Sequence, residues 1–205
     1  MGIEGSAGPA SKTKRRVVAD DPAVAYAAFA ERLKATDNSR HRAMLQTFLA
    51  HSRAEAVFDL DGTMATLVPE PTYYTFGGPG GDDAPKGYQA VRAMYRDLFA
   101  MGGIANMRGE VADIVIDDRT IFFHSRLTSV VPWGRAKEAG YAISDERGHY
   151  AVHKRVAVVL PFDDKGLILG ETAYVATDVH DFEPLGEDEL SPGYIRWLKR
   201  FAPDT

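Results

Sequence analysis

The chain has 205 residues, a formal net charge of −5, six histidines and no cysteine. With 45% hydrophobic and 26% charged residues, it has the composition of an ordinary globular protein that is long enough to bury one substantial core. The absence of cysteine excludes disulfides, thiolate nucleophiles and cysteine-ligated metal sites, and the negative charge gives no reason to expect a nucleic-acid partner.

The ends of the chain differ in character from its middle. Residues 1–19 are small, polar and basic, which predicts a disordered tail. No run of residues is apolar enough for a signal peptide or a membrane span, so we expect a cytoplasmic protein with no membrane partner. A single domain is expected over residues 20–180, followed by a C-terminal extension over 181–205 with a short helix around Tyr194–Phe201.

Helices are predicted in the first half of the chain. Asp21-Pro22 is typical of a helix start, and this first helix is expected to end near Ala35. A long second helix is expected from Ser39 through Asp59 to Leu67, because its apolar residues recur at helical spacing and two prolines follow it. A third helix is expected from about Pro85 to Met101.

Strands dominate the second half. The first strand is predicted earlier, at Thr72–Phe76, where aromatic and β-branched residues cluster. Four more are predicted at Glu110–Ile116, Thr120–Val131, Tyr150–Leu160 and Leu167–Ala176. Asp117-Asp118 and Asp163–Gly166 have the composition of hairpin turns. Residues 132–148 are expected to form a longer loop, with Trp133 as a lid residue that contacts substrate.

One short motif points to phosphoryl transfer. Phe58-Asp59-Leu60-Asp61-Gly62-Thr63 resembles the nucleophile motif of the haloacid dehalogenase superfamily. That resemblance implies a Mg²⁺-dependent phosphatase in which Asp59 attacks and Asp61 acts as acid and base. Such an Asp must follow a buried strand, but the preceding Arg53–Phe58 segment carries two charges and continues a helical pattern. We therefore keep the phosphatase as an alternative.

The order of elements indicates a different family. Two helices, a strand, a helix and then consecutive antiparallel strands predict an α+β fold, with three helices packed on the concave side of a curved antiparallel sheet. Together with the passage Asp59–Tyr73 and the segment Lys86–Tyr95, this order resembles the nuclear transport factor 2-like (SnoaL-like) superfamily. The resemblance covers residues 37–178 and implies a cone-shaped fold with an apolar pocket.

The resemblance also implies chemistry. Enzymes of this superfamily carry out acid/base reactions without a cofactor, using a few polar side chains inside the apolar pocket. Other members only bind or transport. By the same analogy we expect a homodimer formed through the sheet, with a trimer as the alternative. Fold alone cannot choose an activity.

Candidate chemical residues lie on the predicted strands. Alternation places His124 and Arg126 on one face, and it places Lys154 on the same face as Glu171. A carboxylate among aliphatic residues has a raised pKa unless it is paired, which suits Glu171 to acid/base catalysis. The alternative is that Glu171 pairs with Lys154 or Arg155 as part of the sheet. His124 and His153 are candidate bases, since imidazole titrates near neutrality.

The helices and the first strand add further candidates. His51, Glu55 and Asp59 are spaced i, i+4 and i+8, and we interpret this row as a solvated helix face. The alternative is that Glu55 and Asp59 look across the mouth of a pocket. Either Tyr73 or Tyr74 must point inward, since neighbours on a strand face opposite ways. Tyr95 is a further candidate for substrate binding. No histidine spacing is typical of a metal site, so neither a metal nor another cofactor is expected.

The sequence therefore favours a cofactor-independent lyase that acts on a small, hydroxylated aromatic substrate. His124, His153 or Glu171 would remove a proton, and Tyr73 and Arg126 would bind the oxyanion that develops. The bond broken would be C–O or C–C, the latter with release of a small aldehyde. Three alternatives stay open: an isomerase, cyclase or epoxide hydrolase of the same fold, a non-catalytic small-molecule-binding protein, and the phosphatase.

Overall fold

A computed structural model describes residues 26–78, 82–102, 108–145 and 148–201. Its helices are α1 (Ala27–Ala35), α2 (Ser39–Ala56), α3 (Leu60–Ala65), α4 (Tyr88–Ala100), α5 (Trp133–Glu138) and α6 (Pro192–Phe201). Its strands are β1 (Leu67–Phe76), β2 (Arg108–Ile116), β3 (Thr120–Pro132), β4 (His149–Pro161) and β5 (Ile168–Leu185). The predicted helix start at Asp21-Pro22 lies outside these residues.

The five strands form one curved, unclosed sheet in the order β1-β5-β4-β3-β2. All neighbours pair antiparallel except β1 and β5, which are parallel. The hairpins predicted at Asp117-Asp118 and Asp163–Gly166 join β2 to β3 and β4 to β5. The α+β class and the sheet with helices on its concave side are confirmed.

The core lies between the first helices and one face of this sheet. Phe29 of α1 and Phe48 of α2 pack on Phe123 of β3, with ring centroids 5.0 and 5.6 Å away. On β3, Ile121, Phe123 and Ser125 are buried, whereas His124, which lies between the last two, is exposed. Successive side chains of a strand point to opposite faces, so these residues identify the buried face. We call the face that meets the helices the inner face and the opposite one the outer face.

The long second helix was predicted wrongly, because it is two helices. α2 ends at Ala56, Phe58 adopts a left-handed backbone with φ of 59°, and α3 begins at Leu60. The Asp59 side chain accepts a hydrogen bond from the Gly62 backbone N–H at 2.9 Å and so caps α3. The first strand then begins at Leu67, five residues earlier than expected.

Asp59 therefore does not follow a strand, and the phosphatase motif is a helix cap with no buried strand before it. Asp61 is on the surface and pairs with Arg92 at 2.8 Å. The fold contradicts the phosphatase alternative.

The C-terminal half also departs from prediction in two places. The expected loop at 132–148 opens with the short helix α5. Strand β5 continues past residue 180 to Leu185, and α6 then covers the end of the fold with Trp197, which is 1% exposed and donates to the Phe99 carbonyl at 3.0 Å. The division into a domain and an extension stays a prediction. No helix among the described residues has the length and apolarity needed to cross a membrane.

Candidate functional site

A buried histidine–glutamate pair lies near the end of α2. His51 and Glu55 are one helical turn apart and point into the interior, where His51 is 2% and Glu55 9% exposed. Their Nε2 and Oε1 atoms are 3.2 Å apart. The interpretation of this row as a solvated face was wrong for both residues, because the sheet and α4 close over that side of α2. Asp59, the third member, is outside the helix and exposed.

Thr66 fixes which nitrogen of His51 carries the permanent proton. The Thr66 hydroxyl donates to the Thr63 carbonyl at 2.7 Å, so its only proton is already used. It also lies 2.7 Å from His51 Nδ1 and must accept there, which makes Nδ1 the N–H donor. Nε2 is then the nitrogen that gains or loses a proton, and it faces Glu55 and Tyr95.

Two tyrosine hydroxyls continue the chain from His51. His51 Nε2 lies 2.9 Å from the Tyr95 hydroxyl, which lies 2.9 Å from the Tyr73 hydroxyl. Tyr95 comes from α4 and Tyr73 from the inner face of β1, so the packing of α4 on β1 assembles the chain. Burial raises the pKa of both phenols well above the usual value, so they act as hydroxyl donors and acceptors, never as phenolates.

Glu171 completes the cluster from β5. It is paired in register with Tyr73 and shares the inner face with Ala173 and Val175. Its carboxylate is half-buried and makes no hydrogen bond within the described residues. Burial, together with repulsion from Glu55, raises its pKa from 4.5 to about 7, and the attraction of His51 only partly offsets this rise. The alternative that Glu171 pairs with Lys154 or Arg155 finds no support, since no such ion pair forms.

The surroundings of His51 favour its charged form. Its burial alone would lower its pKa, but the Glu55 carboxylate 3.2 Å away and the more distant Glu171 outweigh this, and the net pKa is raised. The His51 imidazole thus lies among two carboxyl groups, of which Glu55 is hydrogen-bonded to it and Glu171 is not. Glu171 is therefore a carboxyl group inside the protein that changes protonation near neutral pH.

Three of the candidate residues lie on the outer face instead. His124 is exposed and contacts Asp113 at 2.7 Å, and Arg126 is exposed and contacts Asp181 at 3.1 Å. His153 shares that face with Thr128, whose hydroxyl is 2.9 Å from its Nδ1. The structure therefore does not bring these three together with Glu171, and we give them no part in the interior site.

The remaining candidates divide between the two faces. Tyr73, rather than Tyr74, points inward. Tyr74 is on the outer face, with Lys86 5.6 Å from its ring. Trp133 opens α5 and lies beside Lys137, remote from the interior cluster. Lys154 is on the inner face, but at the end of the sheet away from Glu171.

The sequence analysis did not identify two residues that contribute to the interior site. Thr66 was placed inside a continuous helix, and Tyr26 lies at the start of α1, its ring 5.7 Å from Phe48. Tyr26 is electrostatically coupled to Glu55 and Glu171, and burial followed by these charges raises its pKa above its usual value. The only sequence feature that pointed to this site was the i, i+4 spacing of His51 and Glu55.

The described residues hold no group of three or more His, Asp or Glu side chains placed to hold a metal ion.

Comparison with known proteins bears on the fold. No protein-family model matches the sequence, and no curated protein does so either. Among solved structures, the chain is similar to a nuclear transport factor 2-like protein from Anabaena variabilis, with a TM-score of 0.51 and 14% identity over 70% of this chain and 95% of that one. It is equally similar to Bal32a, from a soil-derived mobile gene cassette, with a TM-score of 0.50, 14% identity and the same coverage.

A third similar structure is a SnoaL-like protein from Shewanella denitrificans that is assigned as a polyketide cyclase. Its TM-score is 0.51, with 10% identity over 65% of this chain and 90% of that one. At these identities the similarity concerns the fold alone. The chain has the nuclear transport factor 2-like fold.

Proposed function

We propose that the chain is an acid/base enzyme that moves protons on a small, largely apolar substrate held against the inner face of the sheet. The observation that carries the proposal is Glu171, a half-buried carboxyl group with a pKa of about 7 and no hydrogen-bond partner within the described residues. A group that titrates near the working pH is the most effective general base.

The hydroxyl groups of Tyr95 and Tyr73 supply a hydrogen-bond donor that complements the Glu171 base. When His51 Nε2 is protonated it donates toward Tyr95 or Glu55, so Tyr95 is free to donate to Tyr73. Tyr73 then has its own proton available, and it is the residue paired in register with Glu171. An oxygen bound beside Glu171 would accept this proton in a hydrogen bond.

The proposed first step follows from that geometry. The Glu171 carboxylate removes a proton from a carbon next to a substrate carbonyl, the C–H electron pair becomes part of an enolate, and the Tyr73 hydroxyl stabilises the enolate oxygen. Returning the proton to another carbon gives isomerisation, and attack of the enolate on a second carbonyl gives cyclisation. The lyase reaction favoured by the sequence differs only in that the carbanion expels a C–O or C–C bonded group, and we retain it as the more specific form of the proposal.

The test measures proton abstraction without assuming the overall reaction. Ketones with acidic C–H bonds, such as 2-tetralone and aryl alkyl ketones, are incubated in D₂O with the protein, and deuterium incorporation is followed by NMR. We expect exchange above the buffer rate that rises through about pH 7 as Glu171 ionises. Glu171→Gln should lower the enzymatic rate by at least about 100-fold, in line with loss of a general base.

Two matched controls sharpen this test. Tyr73→Phe should slow exchange, whereas Tyr74→Phe, the same change on the outer face, should not. Glu183→Gln removes an exposed carboxylate of the same strand and should leave the rate unchanged. Equal rates for Glu171→Gln and the wild type would overturn the proposal.

A non-catalytic binding protein is the second candidate, and one observation favours it. His51, Glu55, Tyr73 and Tyr95 satisfy one another, as polar groups that only shape a pocket would do. In that case ketones or related apolar ligands would raise the melting temperature, and no deuterium would be incorporated at any pH.

A further inference from the structure

A second polar site lies at the other end of the inner face, around Lys154 of β4. Lys154 is paired in register with Leu127 of β3 and Thr177 of β5. It is half-buried, and its ammonium group makes no ion pair or hydrogen bond within the described residues. A lysine in such a position is normally paired, because a desolvated ammonium group without a partner is costly.

Two hydroxyl groups beside Lys154 also lack partners. The Ser125 Oγ and Thr177 Oγ1 atoms are buried and make no hydrogen bond within the described residues. Thr177 is directly opposite Lys154 across the β4–β5 pair, and Ser125 is on β3 opposite Val156, the next inward residue of β4. By this register Thr177 is about 5 Å from Lys154, and Ser125 is diagonal to it at about 7–8 Å on the opposite side, so the two hydroxyls flank the lysine from the two neighbouring strands.

We propose that Lys154 and Thr177 bind the carboxylate of the substrate or ligand whose other end lies at Glu171. This inference rests on the proposed function and adds a substrate class to it: an amphipathic monocarboxylate. The Lys154 ammonium group and the Thr177 hydroxyl offer donors for the two oxygens of a carboxylate, and the ammonium group balances its single charge. Burial lowers the pKa of Lys154, as expected for an ammonium group whose counter-ion is supplied by a ligand.

The spacing between the two sites defines the rest of the ligand. Glu171 and Thr177 are six residues apart on β5, which is about 20 Å along the strand. The inward residues between them are Ala173 and Val175, and across on β4 they are Val156 and Val158. A ligand that contacts both ends is therefore apolar in its middle, with the acid at one end and the reacting carbon toward the other.

The test compares matched carboxylates and amides. 4-Phenylbenzoate, decanoate and 4-(4-oxocyclohexyl)benzoate are each paired with the corresponding primary amide, and affinities are measured by calorimetry at pH 7. We expect at least one carboxylate to bind about tenfold or more tightly than its amide, equivalent to about 1.4 kcal/mol. Lys154→Met should abolish that preference. Thr177→Val should weaken carboxylate binding about three- to tenfold, as for loss of one hydrogen bond.

Arg155→Met is the matched control, since it removes the same charge from the next residue, which is exposed on the outer face. It should leave the carboxylate preference intact. Glu171→Gln should also retain the preference, so failure of the acid/base proposal and failure of this one give different results. In the free protein, Lys154→Met should raise the melting temperature, because an unpaired half-buried charge is removed. The proposal is overturned if no carboxylate is preferred to its amide, or if Lys154→Met binds as the wild type does.

Discussion

Glu171 has a pKa that makes stability depend on pH. Its folded-state pKa is raised from 4.5 to about 7, because burial and the nearby Glu55 disfavour the carboxylate. Between these two values the folded protein holds a proton that the unfolded chain has released. The free energy of unfolding therefore falls as pH rises from about 4.5 to about 7, and above pH 7 the full penalty of the buried carboxylate is present.

The first prediction follows at this residue. Glu171→Gln removes the ionisable group, so the variant should be more stable than the wild type at pH 8, by up to about 3 kcal/mol for a shift of this size. The difference should shrink toward pH 4.5. Urea unfolding at several pH values measures it. Equal pH dependence in the two proteins would show that the carboxyl group is not desolvated.

Sequence reasoning reached part of this site. The alternation of β5 correctly placed Glu171 among aliphatic residues, and the raised pKa followed from that placement. Alternation could not show which face of β3 is buried. His124 and Arg126 were therefore predicted as catalytic residues on the same grounds as Tyr73. Alternation tells which side chains share a face, but only the position of the helices decides which face is buried.

At the scale of elements, the turn between α2 and α3 positions the residues of the interior site relative to one another. His51 and Glu55 come from the last turns of α2, and Thr66, which orients His51, follows α3. The left-handed Phe58 and the Asp59 cap turn the chain between them. A continuous helix would carry Thr66 far from His51.

The second prediction concerns this cap. Asp59→Ala should lower the free energy of unfolding by about 1 kcal/mol, since the Gly62 N–H loses its acceptor. Asp61→Ala is the matched control, because it removes only an exposed pair with Arg92 and should cost less than about 0.5 kcal/mol. Chemical denaturation measures both. A larger loss for Asp61→Ala would contradict the assignment of the cap.

The third prediction concerns Gly170 of β5, which lies opposite the irregular stretch of β1 between Leu67 and Thr72. Its φ of 149° suits glycine alone, and a Cβ there would overlap the backbone carbonyl of Thr72. Gly170→Ala should therefore destabilise the protein by more than about 3 kcal/mol and displace the adjacent Glu171. Gly134→Ala places the same methyl group in open space within α5 and should be neutral or stabilising. Thermal unfolding of the two variants distinguishes a backbone requirement from a general sensitivity to alanine.

At the scale of the whole molecule, the outer face of the sheet exposes several large apolar side chains between its charged residues. It exposes Val115 at 59%, Tyr174 at 53% and Phe76 at 37%. Phe76 and Tyr174 also stack, with centroids 5.2 Å apart, beside a groove of about 980 Å³. Exposed apolar patches of this kind are typical of surfaces that meet another protein. The homodimer expected from the sequence stays a prediction, and this face is where it would form.

The fourth prediction tests that assembly. Sedimentation velocity should give twice the mass of one chain, and Tyr174→Glu should shift the protein to one chain by placing a charge in the apolar patch. Val57→Glu is the control, because Val57 is 60% exposed at the end of α2, away from the outer face. A wild-type protein that sediments as a single chain would end the dimer hypothesis.

By itself, the sequence determined the order and type of most elements. Periodic apolar residues and turn-forming dipeptides act over a few neighbours, so they are visible in a linear chain. This was enough for the α+β class and for the resemblance to the nuclear transport factor 2-like superfamily.

Tertiary structure alone decided which polar residues form the interior site. His51 and Glu55 have a spacing that suits a solvated helix face equally well, and only the closure of the sheet and α4 over them makes them buried. The hydrogen-bond chain that runs from Thr66 through His51 and Tyr95 to Tyr73 joins four separate elements or their ends. Burial and long-range contact set the pKa of Glu171 and leave Lys154 without a partner among the described residues, and neither is a property of neighbouring residues in the chain.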